Sequence, residues 1–234
     1  VIEENVRIPH VVLGDLDAQL AANQVGAARL LELATDYDLS GFVEIAEAIT
    51  ATSEKAMRAA IRALPNGFYE ARQELEIAGE DGQPITIRLK IAIEDERIVF
   101  DYAGTTAQVR RPINCVLNYT ITFTTLAMKM ALVPELPYNG GIQHPIIVKA
   151  PEGSVLNALR PAAVWRRTVL GMQLPDIIFK TVAPIMPEKI IAESGSCPLW
   201  LWLFSGWRPD RKRFAFQTHS MAGLGAGSVN DGLP

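Results

Sequence analysis

The chain has 234 residues, enough to bury a sizeable core as one large domain or two small ones, and its 49% hydrophobic and 21% charged residues exclude an intrinsically disordered protein. A formal charge of -4 supplies no general attraction for nucleic acid or an anionic membrane. No apolar run approaches the roughly 20 residues of a membrane helix, the longest being broken by Lys129 or by Ser205 and Gly206.

No secretory n-region and h-region opens the chain. Its two cysteines, Cys115 and Cys197, lie far apart without metal-ligand spacing, as in a reducing compartment, so the expected location is cytoplasmic. The chain begins at Val1 without an initiator methionine and stops just after a glycine-rich run. Both features lead us to expect a segment of a larger polypeptide, with some of the chemistry outside it.

Residues 12–38 read as a helix, because Leu13, Leu16, Leu20, Ala27, Leu31 and Ala34 fall on one apolar stripe. Asp38-Leu39-Ser40-Gly41 breaks the pattern, with Ser40 as N-cap of a second helix striped by Phe42, Ala46, Ile49, Met57, Ala60 and Leu64 and ended by Pro65-Asn66-Gly67. Two long helices joined by a short polar turn predict an antiparallel hairpin over residues 1–66, its stripes covering each other or forming a groove for another subunit.

The period then changes from helical to alternating. Tyr69, Ala71, Leu75 and Ile77 alternate with polar residues, and Ile85, Ile87, Leu89, Ile91 and Ile93 form the clearest half-buried strand. The charged turn Glu94-Asp95-Glu96-Arg97 leads to Ile98, Phe100 and Tyr102, completing a β-meander. Residues 117–133 are apolar and threonine-rich, too long for an ordinary strand, and predict a largely buried helix. Ile146-Ile147-Val148 reads as a short strand before the turn Pro151-Glu152-Gly153-Ser154. A helix is expected over Val169–Ile185, or from nearer Pro175, and strands over Ile190–Glu193, Leu199–Phe204 and Arg213–Thr218. The fold class is α+β: the hairpin at 1–66, then an α+β region at 67–234 with a mainly antiparallel sheet and further packed helices.

Residue chemistry alone reveals no reaction. Thr105, Thr106, Arg110 and Asn114 follow a strand and have the donors to hold an oxyanion or carboxylate, or else to bond local backbone. Arg166 and Arg167 precede a helix, where cations are unfavourable unless an anion joins them; an exposed basic loop paired to surface acids is the plainer reading. Gly223-Leu224-Gly225-Ala226-Gly227 lacks the context of a dinucleotide loop and reads as a tightly packed or subunit-facing loop. His10, His144 and His219 have no metal-ligand spacing; His219, in a polar step just before the glycine loop, is the most interesting of them. Arg208-Pro209-Asp210-Arg211-Lys212-Arg213 is a solvated hairpin turn, and no serine sits in a nucleophile elbow.

Several stretches together resemble the middle of the hydantoinase B/oxoprolinase family. They are Asn5-Val6-Arg7-Ile8-Pro9 with Leu13-Gly14-Asp15-Leu16-Asp17-Ala18-Gln19, Asp101-Tyr102-Ala103-Gly104-Thr105 with Gln108-Val109-Arg110, and Pro112-Ile113-Asn114. Ala150-Pro151-Glu152-Gly153-Ser154 with Leu156-Asn157, Pro161-Ala162-Ala163-Val164 and the closing Gly-Ala-Gly run with Asp231-Gly232 continue the set, in the family's order. One departure stands out: where many hydantoinase members continue Asn-Val-Glu-Thr, this chain has Trp165-Arg166-Arg167-Thr168.

The resemblance implies an ATP-dependent cyclic-amide hydrolase or, as the alternative, an ATP-dependent acetone- or acetophenone-type ketone carboxylase. An ATP-binding hydantoinase A-type partner would phosphorylate the substrate carbonyl or enol oxygen, and the B-type part would complete the reaction at a divalent metal. The resemblance places ATP and Mg on the partner and the metal ligands in a more N-terminal region, so this segment is expected to bind no cofactor. A hetero-oligomer is implied, with no nucleic acid or membrane partner. Within this frame His219, Arg166 and Arg167 are the candidate catalytic residues, and Thr105, Arg110 and Asn114 the candidate substrate-binding residues. A non-catalytic scaffold that joins subunits is the reading from another class.

Overall fold

A computed structural model describes residues 1–6, 8–37, 41–79, 81–194, 199–221 and 223–232. In chain order the helices and strands are α1 (Ile2–Asn5), α2 (Pro9–Asp36), α3 (Phe42–Arg62), β1 (Gly67–Ala78), β2 (Pro84–Glu94), β3 (Arg97–Asp101), α4 (Leu117–Leu132), α5 (Gly140–Gln143), β4 (Ile146–Lys149), α6 (Thr168–Gly171), α7 (Gln173–Val182), β5 (Leu199–Trp207) and β6 (Arg213–Met221). The fold is α+β, as the sequence predicts. The chain divides into two compact units, residues 1–47 with 199–220, and residues 48–198 with 221–234.

The first unit contains α2 and the β5–β6 hairpin. Pro9 opens α2 at a position where its missing N–H costs nothing. None of the residues of α2 is buried. Its predicted stripe is therefore not closed over: Leu20, Ala27, Leu31 and Ala34 are exposed, and Leu13 and Leu16 are half-buried. The hairpin turns through Asp210, whose carboxylate accepts the Lys212 N–H at 3.1 Å, and Arg211 at φ 63. Phe204 and Phe216 stack across the two strands, with ring centroids 4.9 Å apart. The proposed N-cap Ser40 lies outside the described residues.

The second unit carries the core. Its four-stranded sheet has the order β1-β2-β3-β4, antiparallel except for the parallel β3–β4 pair. The alternation read from the sequence sets the buried face: Ile85, Ile87, Leu89, Ile91 and Ile93 of β2 and Ile98 and Phe100 of β3 all point inward. The β2–β3 turn is pinned by Asn66, which accepts the Asp95 N–H at 2.9 Å while Asp95 adopts φ 53. Met57 and Ile61 of α3, Ala127 and Met128 of α4, and Leu174, Ile177, Ile178 and Val182 of α7 complete one core cluster. The C-terminal half of the α3 stripe thus serves this core, whereas Phe42 and Ile49 remain exposed. Gly141 lets α5 seat directly on α3, since a methyl there would stand 2.0 Å from the Thr50 carbonyl oxygen.

Three threonines of α4, Thr120, Thr124 and Thr125, are buried, and the first two find hydrogen-bond partners. Thr120 donates to the Leu156 carbonyl at 2.6 Å, and Thr124 shares a 2.9 Å bond with the Tyr102 hydroxyl. Of the two starts expected for the next helix, the later one holds: α7 begins at Gln173 with Pro175 in its first turn, and Thr168–Gly171 form the separate short helix α6. One expectation is corrected. Residues Ile190–Glu193 form no strand; the Ala192 N–H donates to the Ala226 carbonyl at 2.7 Å in place of a ladder.

Candidate functional site

The C-terminal end of β3 launches a loop that returns twice to the sheet. Asp101 accepts the Ala103 N–H at 2.9 Å, and Gly104 turns at φ 81, a conformation that suits glycine. Thr105 Oγ accepts the Arg88 N–H at 3.1 Å, and Thr106 Oγ accepts the Thr86 N–H at 2.8 Å. Both hydroxyls thereby bond the backbone of β2, and Thr105 is buried. Further on, Gln108 is held through both backbone and side chain: its N–H donates to the Gly153 carbonyl at 2.7 Å and its side-chain oxygen accepts the Leu159 N–H at 2.8 Å.

Asn114 is the organising residue of the loop. It is fully buried, accepts the Val109 N–H at 2.9 Å, and donates to the carbonyls of Val109, Arg111 and Ala163 at 2.8, 3.0 and 2.9 Å. The last of these bonds, with the Arg166 N–H donating to the Pro112 carbonyl at 2.6 Å, ties segment 109–114 to segment 163–167. Arg110, Arg111, Arg166 and Arg167 thus stand exposed on two joined segments. A cleft of about 430 Å³ opens beside Arg110, lined also by Gln108, Val109, Pro161, Ala162 and Ala163.

The Arg167 guanidinium lies over the Tyr119 ring, 5.3 Å from its centroid, and is 3.3 Å from the Val164 carbonyl, to which it donates. Tyr119 also fills the space beside Gly171, where a methyl would meet the ring at 2.2 Å. Beneath Arg167, Cys115 is buried, with its thiol 3.4 Å from the Arg167 carbonyl oxygen. Burial pushes the Cys115 thiol up to about 12, although the Arg167 charge pulls it the other way, so it stays protonated and is no nucleophile at neutral pH.

Of the residues singled out from the sequence, the fold brings together Arg110, Asn114, Arg166 and Arg167. Thr105 sits one turn earlier, engaged with β2. His219 lies in β6, and its side chain falls outside the described residues, as does Cys197. His144 pairs with Glu54 at 2.7 Å between α5 and α3, a structural contact. Gly225 is packed so closely that a methyl would stand 1.9 Å from the Ala192 carbonyl oxygen, whereas Gly227 has open space beside it, so within the glycine run Gly225 is the packing position. The role of Gln108 in tying the loop to Leu159 has no sequence signal, because its partner is 51 residues away. Among the described residues no group of three or more His, Cys, Asp or Glu side chains is arranged to hold a metal ion. No metal ligand is assigned on this chain.

The whole chain, residues 1–234, matches the family model for hydantoinase B/oxoprolinase. The chain belongs to the hydantoinase B/oxoprolinase family. It is 30% identical over 217 residues to a Pseudomonas sp. (strain NS671) protein assigned as the B-type subunit of a D-/L-hydantoinase, covering 88% of this chain and 36% of that protein. The structure of the ATP-dependent caprolactamase from Pseudomonas jessenii superposes with a TM-score of 0.79 at 27% identity, over 94% of this chain and 39% of that one. A nucleotide-free acetone carboxylase structure shares the fold, with a TM-score of 0.66 at 18% identity, over 77% of this chain and 26% of the other. The chain therefore spans little more than a third of the length of the hydantoinase subunit and of the caprolactamase chain.

Proposed function

We propose that this chain forms part of the B-type catalytic subunit of an ATP-dependent cyclic-amide hydrolase, acting on a carbonyl oxygen phosphorylated by a partner A-type subunit. The observation that carries the reading is family membership across the whole chain, with a hydantoinase subunit and a caprolactamase among its relatives. The chemistry is sensible, since an unactivated amide carbonyl resists water and a phosphorylated one offers a better leaving group.

In this reading the exposed guanidinium groups of Arg110, Arg166 and Arg167 meet the anionic, phosphorylated substrate, for which their planar donor forks are suited. Asn114 positions both arginine-bearing segments. His219 of β6, in the first unit, remains a separate candidate catalytic residue. ATP and its magnesium belong to the partner, and the metal ligands to more N-terminal sequence of the subunit. The uncovered apolar stripe of α2 supports a hetero-oligomer, because such a surface gains most from a subunit laid against it.

Arg166→Ala tests the assignment. Its N–H bond to Pro112 is backbone and survives, so the fold should be unchanged while substrate-stimulated ATP turnover falls. Unchanged kinetics would remove Arg166 from the site. The carboxylase reading is favoured by one feature, the Trp165-Arg166-Arg167-Thr168 stretch, whose cations also suit an enol phosphate and bicarbonate. Bicarbonate-dependent turnover of a ketone separates it from hydrolysis.

A further inference from the structure

A second cleft, of about 460 Å³, opens between the edge of β1, α7 and segment 190–193, and none of the site residues described so far lines it. Two side-chain oxygens in its wall, Asp176 Oδ2 and Gln73 Oε1, are buried without a hydrogen-bond partner. The Gln73 amide uses its nitrogen to donate to Gln173 Oε1 at 3.0 Å, which leaves its oxygen uncommitted. Both orphans are acceptors, so the partner they lack is a donor.

The charges point the same way, since Arg72 and Glu74 of the lining pair with each other. Glu193 lines the cleft beside Asp176, and burial, aided by the Glu193 charge, pushes the Asp176 carboxyl up to about 6. An ammonium group brings N–H donors and a positive charge together, which answers the missing donor and the crowded carboxylates at once. Lys180 also lines the cleft, four residues beyond Asp176 and so about 6 Å farther along α7. Phe179, Ala183, Ile190 and Ile191 supply an apolar wall. The far side is held in place by the Gly225 N–H donating to Ser194 Oγ at 3.1 Å and the Ala192 N–H donating to the Ala226 carbonyl at 2.7 Å.

We propose that this cleft binds a small aliphatic amino acid as its zwitterion, the ammonium held among Asp176, Glu193 and Gln73 and the carboxylate directed to Lys180. Adding water across the C–N bond of a lactam, one kind of cyclic amide, frees an amine and a carboxylate and so releases a molecule of this class, which the site would hold as product; that role rests on the hydrolase reading, whereas the binding does not.

Titration calorimetry on the intact native protein tests it, with 6-aminohexanoate, pentylammonium chloride and hexanoate as probes. At about pH 8 the amino acid binds saturably and hexanoate does not. Asp176→Asn, checked by its melting curve, weakens binding about tenfold or more. Lys180→Gln weakens 6-aminohexanoate but leaves pentylammonium unchanged. Near pH 6 binding releases a proton, read from heats in buffers of different ionisation enthalpy, because an ammonium favours the ionised Asp176. Absence of saturable binding, equal affinity in Asp176→Asn and Glu193→Gln, or hexanoate binding as well as the zwitterion would overturn the proposal. Ligand binding in a protein whose ATP turnover ignores cyclic amides would keep the site and sink the hydrolase reading; the converse would do the opposite.

Discussion

Replacing Asn114 by alanine removes a side chain that joins the two arginine-bearing segments, 109–114 and 163–167. Its bonds to the Val109 N–H and carbonyl are buried, and those to the Arg111 and Ala163 carbonyls are partly buried. Two buried backbone groups left without partners cost about 1–3 kcal/mol each, and the two that water reaches about 0.5–1 kcal/mol each. The expected loss is about 3–5 kcal/mol after allowing for relaxation of the loop. Urea unfolding followed by tryptophan fluorescence reads the total, and amide hydrogen exchange reads the cause, since the Val109 N–H should lose its protection while the β2 amides keep theirs. A loss below about 1 kcal/mol, or an unchanged Val109 amide, would show that Asn114 does not hold these segments.

Other expectations follow from single contacts. Gly141→Ala forces a methyl to within 2.0 Å of the Thr50 carbonyl oxygen, which is rigid helix backbone. The mutant should lose about 3 kcal/mol or more in urea unfolding as α5 lifts from α3; a change under about 1 kcal/mol would refute the close contact. Bonds from His144 and then Arg58 hold the Glu54 carboxyl below its ordinary value of 4.5, so this pairing stabilises the fold above that pH and is lost as pH falls through the lowered value. Glu54→Gln should flatten that acid limb of a stability–pH profile, and an unchanged limb would contradict the pairing. Asp176 behaves in the opposite sense: raised from 3.8 to about 6, it costs nothing below 3.8 and destabilises progressively as pH rises to about 6. Asp176→Asn should therefore stabilise the protein at neutral pH by about 1–2 kcal/mol after solvent screening, with no gain at pH 3.5; equal effects at both would refute a desolvated carboxylate.

Legibility follows sequence distance. The β2 strand is plain because its alternation Ile85, Ile87, Leu89, Ile91, Ile93 is set by one buried face. The threonine-rich helix α4 is legible from length alone, but not the bond from Thr120 to Leu156, 36 residues away. Segment 190–193 has strand-like residues, yet a bond from Ala192 to Ala226 stands in place of a ladder, and no local pattern encodes a missing neighbour. Asn114 stands out in the sequence as a polar group near the arginines and sits beside them in the fold, but its bonds go to backbone, three within 5 residues and one to Ala163, 49 away. The Gln73–Asp176 cleft joins residues from opposite ends of the unit and leaves no trace in spacing. The stripe of α2 is apolar in sequence and in structure, whereas the surface that covers it cannot be read from the helix itself.

The central claim is tested most directly by phosphate release from ATP in the native complex, assayed with cyclic amides in bicarbonate-free buffer. The account predicts that at least one cyclic amide stimulates release, with stoichiometric ring opening and no requirement for bicarbonate. Stimulation by no cyclic amide, or only by a ketone together with bicarbonate, would contradict it.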